Sequence, residues 1–357
     1  MSADAETESA AGEVDTEARD LLETLVSIPS PTPEEDECAE ALVDFFESHG
    51  REVYRDEIGN VHAPADDAVL FTSHIDTVPG EIPVRIESDS ESEGPVLWGR
   101  GSVDAKGPLA ALAVAAVRTG VSFVGVVGEE VDSRGARYLV ENRTEPEAVV
   151  NGEPSGGDGI TLGYRGILSG TYVATSESGH TSRPGNNAIQ DALDWWSAVE
   201  EIYASDEYEP VFEQVTTKPV SIDGGPSDDG LAVEATLDVQ LRVPPSLTTE
   251  SVRERADAEL TAGTVNWKDA VEPTMQSPRT DVARAFRAAI RAEGRDPRLL
   301  RKTGTADMNI YADAWDCPMV TYGPGDSDLD HAPDERLPLA ELDRATAVLE
   351  RVGSELS

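Results

Sequence analysis

Two apolar runs lie almost end to end in the first half of this chain, and they narrow its architecture more than any other feature. Pro108 to Val117 carries no polar side chain, and Val121-Ser-Phe-Val-Gly-Val-Val127 follows after only Arg118, Thr119 and Gly120. The first run reads as a helix buried on all sides with Pro in its first turn, the second as a strand covered on both faces. A buried helix leading straight into such a strand is the mark of an α/β sheet with parallel strands.

The stretch before the helix is of a different kind. Trp98-Gly-Arg-Gly-Ser-Val-Asp-Ala-Lys-Gly107 sets Asp104 among Gly99, Gly101 and Gly107. Glycine permits left-handed and closely approached backbone, so Asp104 sits on an irregular loop just ahead of a helix. Other polar residues stand at strand ends: Ala68–Thr72 runs into Ser73-His74-Ile75-Asp76, the second apolar run into Gly128-Glu129-Glu130, and Ala148–Val150 into Asn151-Gly152-Glu153-Pro154. In α/β sheets the carboxyl ends of the strands are where ligands bind. Of the histidines, His74, His180 and His331 lie in Gly/Pro/Asp-rich loops, whereas His49 and His62 read as structural.

From Gly166 to Thr274 the order changes to strand, helix, strand, strand, helix, strand, with segments Leu168–Ser176, Ala188–Ala204, Phe212–Ile222, Ala232–Val243, Thr249–Ala262 and Thr264–Val271. That βαββαβ order is ferredoxin-like. The fold expected is therefore α/β, with a large domain over 16–165 and 275–357, an inserted domain over 166–274, and a disordered acidic tail over 1–15.

Charge excludes several functions. There are 70 acidic against 28 basic residues and a formal net charge of -42, yet 39% of residues are hydrophobic, so the chain is expected to fold. The acid excess runs along the whole sequence and only four of the cations are Lys, which suits a halophile's cytoplasm, where salt screens self-repulsion. Nucleic-acid binding needs clustered cations that are lacking. With Cys38 and Cys317 alone, no disulfide framework or thiolate-rich metal site is expected. Neither a membrane span nor a secretory leader is evident, so a cytoplasmic location with no membrane partner is expected.

His74, Asp104, Glu130, Glu153 and His331 offer imidazole and carboxylate without thiolate, a set that suits zinc first, with cobalt or manganese as alternatives. Five ligands suffice for two divalent ions per subunit with Asp104 as the bridge. Asp76 is the right type to accept the other N–H of His74, and Glu129 is the candidate general base, taking a proton from the attacking water and passing it to the leaving amine.

The spans His74-Ile-Asp76-Thr-Val-Pro, Gly99-Arg-Gly-Ser-Val-Asp104-Ala-Lys-Gly107, Glu129-Glu130, Asn151-Gly-Glu153-Pro, Ser178-Gly-His180-Thr-Ser-Arg-Pro184 and His331 resemble, in order, the co-catalytic metallohydrolase family of acetylornithine deacetylase, succinyl-diaminopimelate desuccinylase and carboxypeptidase. The resemblance covers nearly the whole chain. It implies a zinc-exopeptidase-like catalytic domain, with His74, Asp104 and Glu153 on one ion and Asp104, Glu130 and His331 on the other. It also implies that the inserted domain is a dimerisation and lid domain, and that His180 reaches the partner's active site to stabilise an oxyanion. The segment Arg301-Lys-Thr-Gly-Thr-Ala-Asp307 is similar to the branch that releases lysine or ornithine from an amino-group carrier protein, where the amino acid is linked to a carrier glutamate. Arg242, Arg183, Asn187, Lys302 and Thr303 are the candidate substrate-binding residues. The alternatives are deacetylation of N-acetylornithine, desuccinylation, carboxypeptidase activity, or a dimeric binding protein on the same fold.

Overall fold

In the computed structural model, which describes residues 14–88, 92, 94–180, 182, 184–204, 208, 210–268 and 270–357, the first apolar run forms the helix Lys106–Thr119. Every residue from Lys106 to Ala116 is buried, and Gly120 ends the helix in left-handed conformation at φ 73°, where a Cβ would be strained. The strand Val121–Val126 follows, buried at all six positions.

The chain divides into two units: Met1–Thr161 with Ser277–Leu300 and Trp315–Ser357, and Leu162–Gln276 with Arg301–Ala314. In the first unit the strands Tyr54–Arg55, Val61–Ala63, Val121–Val126, Asp66–His74, Val149–Gly152 and Met319–Thr321 lie side by side in that order, with Thr161 of Gly159–Tyr164 bridged to Thr321. Asp66–His74 is central, parallel to both Val121–Val126 and Val149–Gly152. The carboxyl ends of three adjacent parallel strands therefore deliver His74, the Glu129-Glu130 loop and Glu153 to one edge of the sheet. A small antiparallel sheet of Arg336–Pro338, Pro95–Trp98 and Arg85–Ser88 joins the segment after His331 to the strand before the Asp104 loop. Its strands are three to four residues long and bounded by proline at Pro95 and Pro338, too short to show a period in the sequence.

The acidic tail expected over 1–15 does not include Asp15, which belongs to the fold. Its side chain caps the helix Thr16–Val26 by accepting from Ala18 N at 3.2 Å. It also pairs with Arg118 at 2.7 Å, and Arg118 in turn reaches Glu17 at 2.6 Å and Glu350 of the helix Leu339–Leu356 at 2.5 Å, clasping two helix ends to the side of a third helix. Residues 1–13 lie outside the described residues. Replacing Arg118 with Ala is expected to lower stability by about 1 kcal/mol in dilute salt and by less in molar potassium chloride, because half-exposed ion pairs are weak and screened. Urea midpoints at the two salt concentrations test this, and equal losses at both would count against an electrostatic clasp.

The second unit carries a four-stranded antiparallel sheet in the order Thr216–Pro226, Ala232–Val243, Gly166–Glu177, Thr264–Trp267. The helices Ala188–Ile202 and Thr249–Ala258 supply its remaining elements, and Trp195, Trp196, Tyr172, Leu237 and Leu241 lie in the core. The order βαββαβ is as read, with differing bounds. The second helix stops at Ala258 rather than Ala262, ahead of Gly263 at φ 72°, and a short 3-10 turn at Val211–Glu213 takes the start of the strand expected over Phe212–Ile222, which runs instead over Thr216–Pro226. Arg301–Ala314, placed with the catalytic domain from its position in the chain, clusters with this unit instead. Long-range bonds explain this: the Arg165 guanidinium donates from Nε to Thr303 O at 2.9 Å, and Asn309 Nδ2 donates to Glu272 O at 2.8 Å.

Candidate metal centre

His74 closes the central strand and is 1% exposed. Its Nδ1 donates to the Asp76 carbonyl at 3.0 Å, which turns Nε2 toward Asp104 Oδ1 at 3.1 Å and Glu153 Oε1 at 3.9 Å. The backbone carbonyl makes the shorter bond to this N–H, with Asp76 Oδ1, the group expected to take it, beside the same nitrogen as an ion-pair partner. That oxygen stands 3.5 Å from Nδ1, and the two carboxylate oxygens also accept from Glu129 N and Glu130 N, each at 3.1 Å, and from Thr32 Oγ1 at 2.5 Å. Asp76 thus grips the imidazole through its backbone and the Glu129-Glu130 loop through its side chain.

Asp104 turns its second oxygen, Oδ2, to His331 Nε2 at 3.2 Å, and the same nitrogen lies 3.0 Å from Glu130 Oε2. His331 has φ 60°, left-handed for a non-glycine residue, a conformation that persists only where the surroundings hold it. The result is two triads, His74/Asp104/Glu153 and Asp104/Glu130/His331, each with its donor atoms within 4.8 Å of one another and with Asp104 in both.

Burial and crowding leave their mark on these groups. Burial and the Asp104 charge push Glu130 up to about 7. Asp104 is driven well below the carboxylate range because its bonds to His331 and His74 outweigh burial. The Asp104 bond raises His331 to about 9, and His74 is raised despite its burial by Asp104, Asp76, Glu153 and the Glu129 charge. Glu130 Oε1 is buried without a hydrogen-bond partner, and clustered carboxylates with imidazole and no thiolate form a donor set for hard or borderline divalent ions. The residues present therefore fit two such ions.

His180, Asn187, Arg242, Lys302 and Thr303 lie in the second unit. His180 Nδ1 is 2.7 Å from Ser182 Oγ on an exposed loop. The Asn187 side chain is occupied as a helix cap, accepting from Gln190 N at 3.0 Å in a capping box, so a structural role explains it. Arg242 is half-buried with Nη1 3.4 Å from Thr305 Oγ1, Lys302 ends the strand Arg298–Lys302, and Thr303 offers its carbonyl to Arg165. Arg183 lies outside the described residues.

Two charged residues of the site were not read from the sequence. Lys106, 1% exposed, donates to Leu25 O at 3.0 Å and Ile28 O at 2.6 Å, anchoring the head of the buried helix. A lone cation opening an apolar run was the available signal. Gly101 must be glycine beside it: at φ 82° a Cβ would sit 2.7 Å from Thr77 Cγ2 and 3.1 Å from Lys106 Cδ. Glu335, fully buried, accepts from Val103 N at 2.8 Å, Asp104 N at 3.0 Å, Gly101 N at 3.1 Å and Arg100 Nη1 at 2.8 Å.

A family model described as peptidase family M20/M25/M40 matches residues 70–355. The chain is 40% identical over 356 residues to a LysW-lysine hydrolase of Deinococcus radiodurans, covering 93% of this chain and 95% of the relative. It is 38% identical over 344 residues to a putative LysW-lysine/LysW-ornithine hydrolase of Thermococcus kodakarensis, covering 94% and 91%. Among solved structures it is similar to the aminopeptidase PepT of Bacillus cereus, with a TM-score of 0.75 at 20% identity, covering 97% of this chain and 100% of that one. An M20 family metallo-carboxypeptidase of Sulfolobus solfataricus gives 0.75 at 18% identity over 96% and 99%, a likeness of fold.

Proposed function

This chain belongs to peptidase family M20/M25/M40, and we propose that within it the protein is a two-metal amide hydrolase releasing lysine or ornithine from an amino-group carrier protein. One observation carries the catalytic reading: Asp104 stands in two ligand triads at once. The names of the relatives support the substrate.

His74, Asp104 and Glu153 would hold one ion and Asp104, Glu130 and His331 the other. Zinc is the first choice, with cobalt or manganese as alternatives. Ions held there would supply Lewis acidity, polarising the amide carbonyl and lowering the pKa of water toward neutrality. Glu129 removes the proton of the attacking water and returns it to the leaving amine, while Asp76 fixes the loop that presents Glu129. Arg242 provides a guanidinium for the carboxylate of the amino acid, with Lys302 and Thr303 orienting its chain. Arg183 is a second candidate for that carboxylate. Asn187 serves the helix cap first.

We assign His180 to oxyanion stabilisation in a second copy of the chain, within a homodimer formed through the second unit. The edge strand Thr216–Pro226 supports this: it pairs on one side only among the described residues, and Val220 and Ile222 on it are 59% and 55% exposed. Light scattering on the eluting protein tests it, and a monomer at assay concentration would refute it. No helix among the described residues is long and apolar enough to cross a membrane, and both cysteines are buried and free. The charge balance supports a halophilic, cytoplasmic enzyme without nucleic-acid partners as part of this reading.

The decisive assay offers carrier-linked lysine, carrier-linked ornithine and N-acetylornithine side by side, in molar potassium chloride with zinc or cobalt. Release from the carrier substrates alone is expected. Turnover of N-acetylornithine alone would move the protein to the deacetylase branch, and fewer than one ion per chain with no turnover would favour a binding protein.

A further inference from the structure

We propose that Glu335 is a positioning residue that couples the two metal sites, by holding the Asp104 loop in the shape that lets Asp104 serve both. The inference rests on the two-ion reading above but not on the identity of the substrate.

The residues 99–105 have no regular structure to satisfy their backbone, and Gly101, Ser102 and Val103 are buried. Three of the N–H groups in this stretch, Gly101, Val103 and Asp104, converge on the Glu335 carboxylate at 3.1, 2.8 and 3.0 Å. Arg100 Nη1 completes the set at 2.8 Å and balances the buried charge. Both carboxylate oxygens are used, Oε1 by Val103 and Asp104 and Oε2 by Gly101 and Arg100. Successive N–H groups aimed at one anion form a nest, and a nest keeps its shape only while the anion is in place. The backbone N–H of Asp104 is thus turned to Glu335 while its side chain spans His74 and His331 at 3.1 and 3.2 Å.

Glu335 comes four residues after His331, and its own carbonyl accepts from Gly99 N at 3.3 Å before Arg336–Pro338 pairs with Pro95–Trp98. One short segment therefore carries a ligand of the second triad, His331, and the clamp on the bridging ligand. Loss of the clamp frees Asp104 and His331 together, so both ions weaken, the second more than the first.

Glu335→Gln and Glu335→Asp test this by metal titration of the stripped protein, with visible absorption of cobalt as readout and circular dichroism to confirm folding. Gln presents an amide where two donors already point, and Asp keeps the charge but withdraws it by one methylene. Supporting groups of this kind are worth about 10- to 100-fold in metal affinity. The expected result is two ions per chain in the wild type, weakening by at least about tenfold in Glu335→Gln with the second ion lost first, and partial recovery in Glu335→Asp. If Glu335→Gln does not fold, Glu335→Asp alone decides. A folded variant that binds both ions with wild-type affinity overturns the coupling. A wild type that binds a single ion overturns the two-ion reading and the coupling with it.

Discussion

Replacing Glu129 with Gln is expected to leave metal content at the wild-type level and to lower kcat by about 10²- to 10⁴-fold, the range contributed by a positioned proton-transfer group. The separation of these two effects follows from where the residue stands. Glu129 belongs to neither triad, yet its charge acts on His74 and its backbone N–H is held by Asp76 Oδ1 at 3.1 Å. Its neighbour Glu130, held by the other oxygen of the same carboxylate, is in the second triad. One loop thus presents a ligand and a base side by side. Gln preserves size and can donate or accept a hydrogen bond, but it cannot take up and return a proton at neutral pH. KM should change little, since the amide does not alter the groups assigned to the amino acid. Metal analysis of the same preparation that is assayed makes the comparison. A near wild-type rate would refute the base assignment, and loss of an ion would make Glu129 a ligand instead.

How far the sequence could be read depended on whether the signal was local. The buried helix, the covered strand beside it and the polar residues at strand ends were legible because burial on all sides removes periodicity and parallel strands deliver their ligands just past their last residue. The family resemblance, read from six motifs in order, is borne out by the family match over residues 70–355. The clustering of Arg301–Ala314 with the second unit was not legible, because it is set by bonds between residues far apart in the chain, Arg165 with Thr303 and Asn309 with Glu272, at sequence separations of 138 and 37. Glu335 stood in an acid-rich loop with Asp326, Asp328, Asp330 and Asp334, and nothing in its type told it from a solvated carboxylate. Only the backbone it folds against does. Asn187 was open to a better reading: Asn187 followed three residues later by Gln190 at the head of a helix is a capping-box pattern.

Replacing Asp104 with Asn should cost the most of any single change, reducing bound metal from two ions to one or none per chain and kcat/KM by at least about 10³-fold, or ~4 kcal/mol of transition-state stabilisation. Asp104 is the only residue in both triads. Two divalent ions about 3.5–4 Å apart repel four times as strongly as two unit charges, so a pair is stable only with anionic oxygen between them. Asn has one oxygen and no charge. It could still turn that oxygen to His74 or to His331, but not to both, and its amide N–H₂ would face the other site as a donor where a ligand is required. Glu153→Gln is the comparison, since Glu153 serves the first triad alone and its loss should remove one ion at most. Metal content after exhaustive dialysis separates the two variants. If Asp104→Asn keeps both ions while Glu153→Gln loses one, the bridge is not Asp104; if both variants lose one ion and retain equal activity, the two sites act independently.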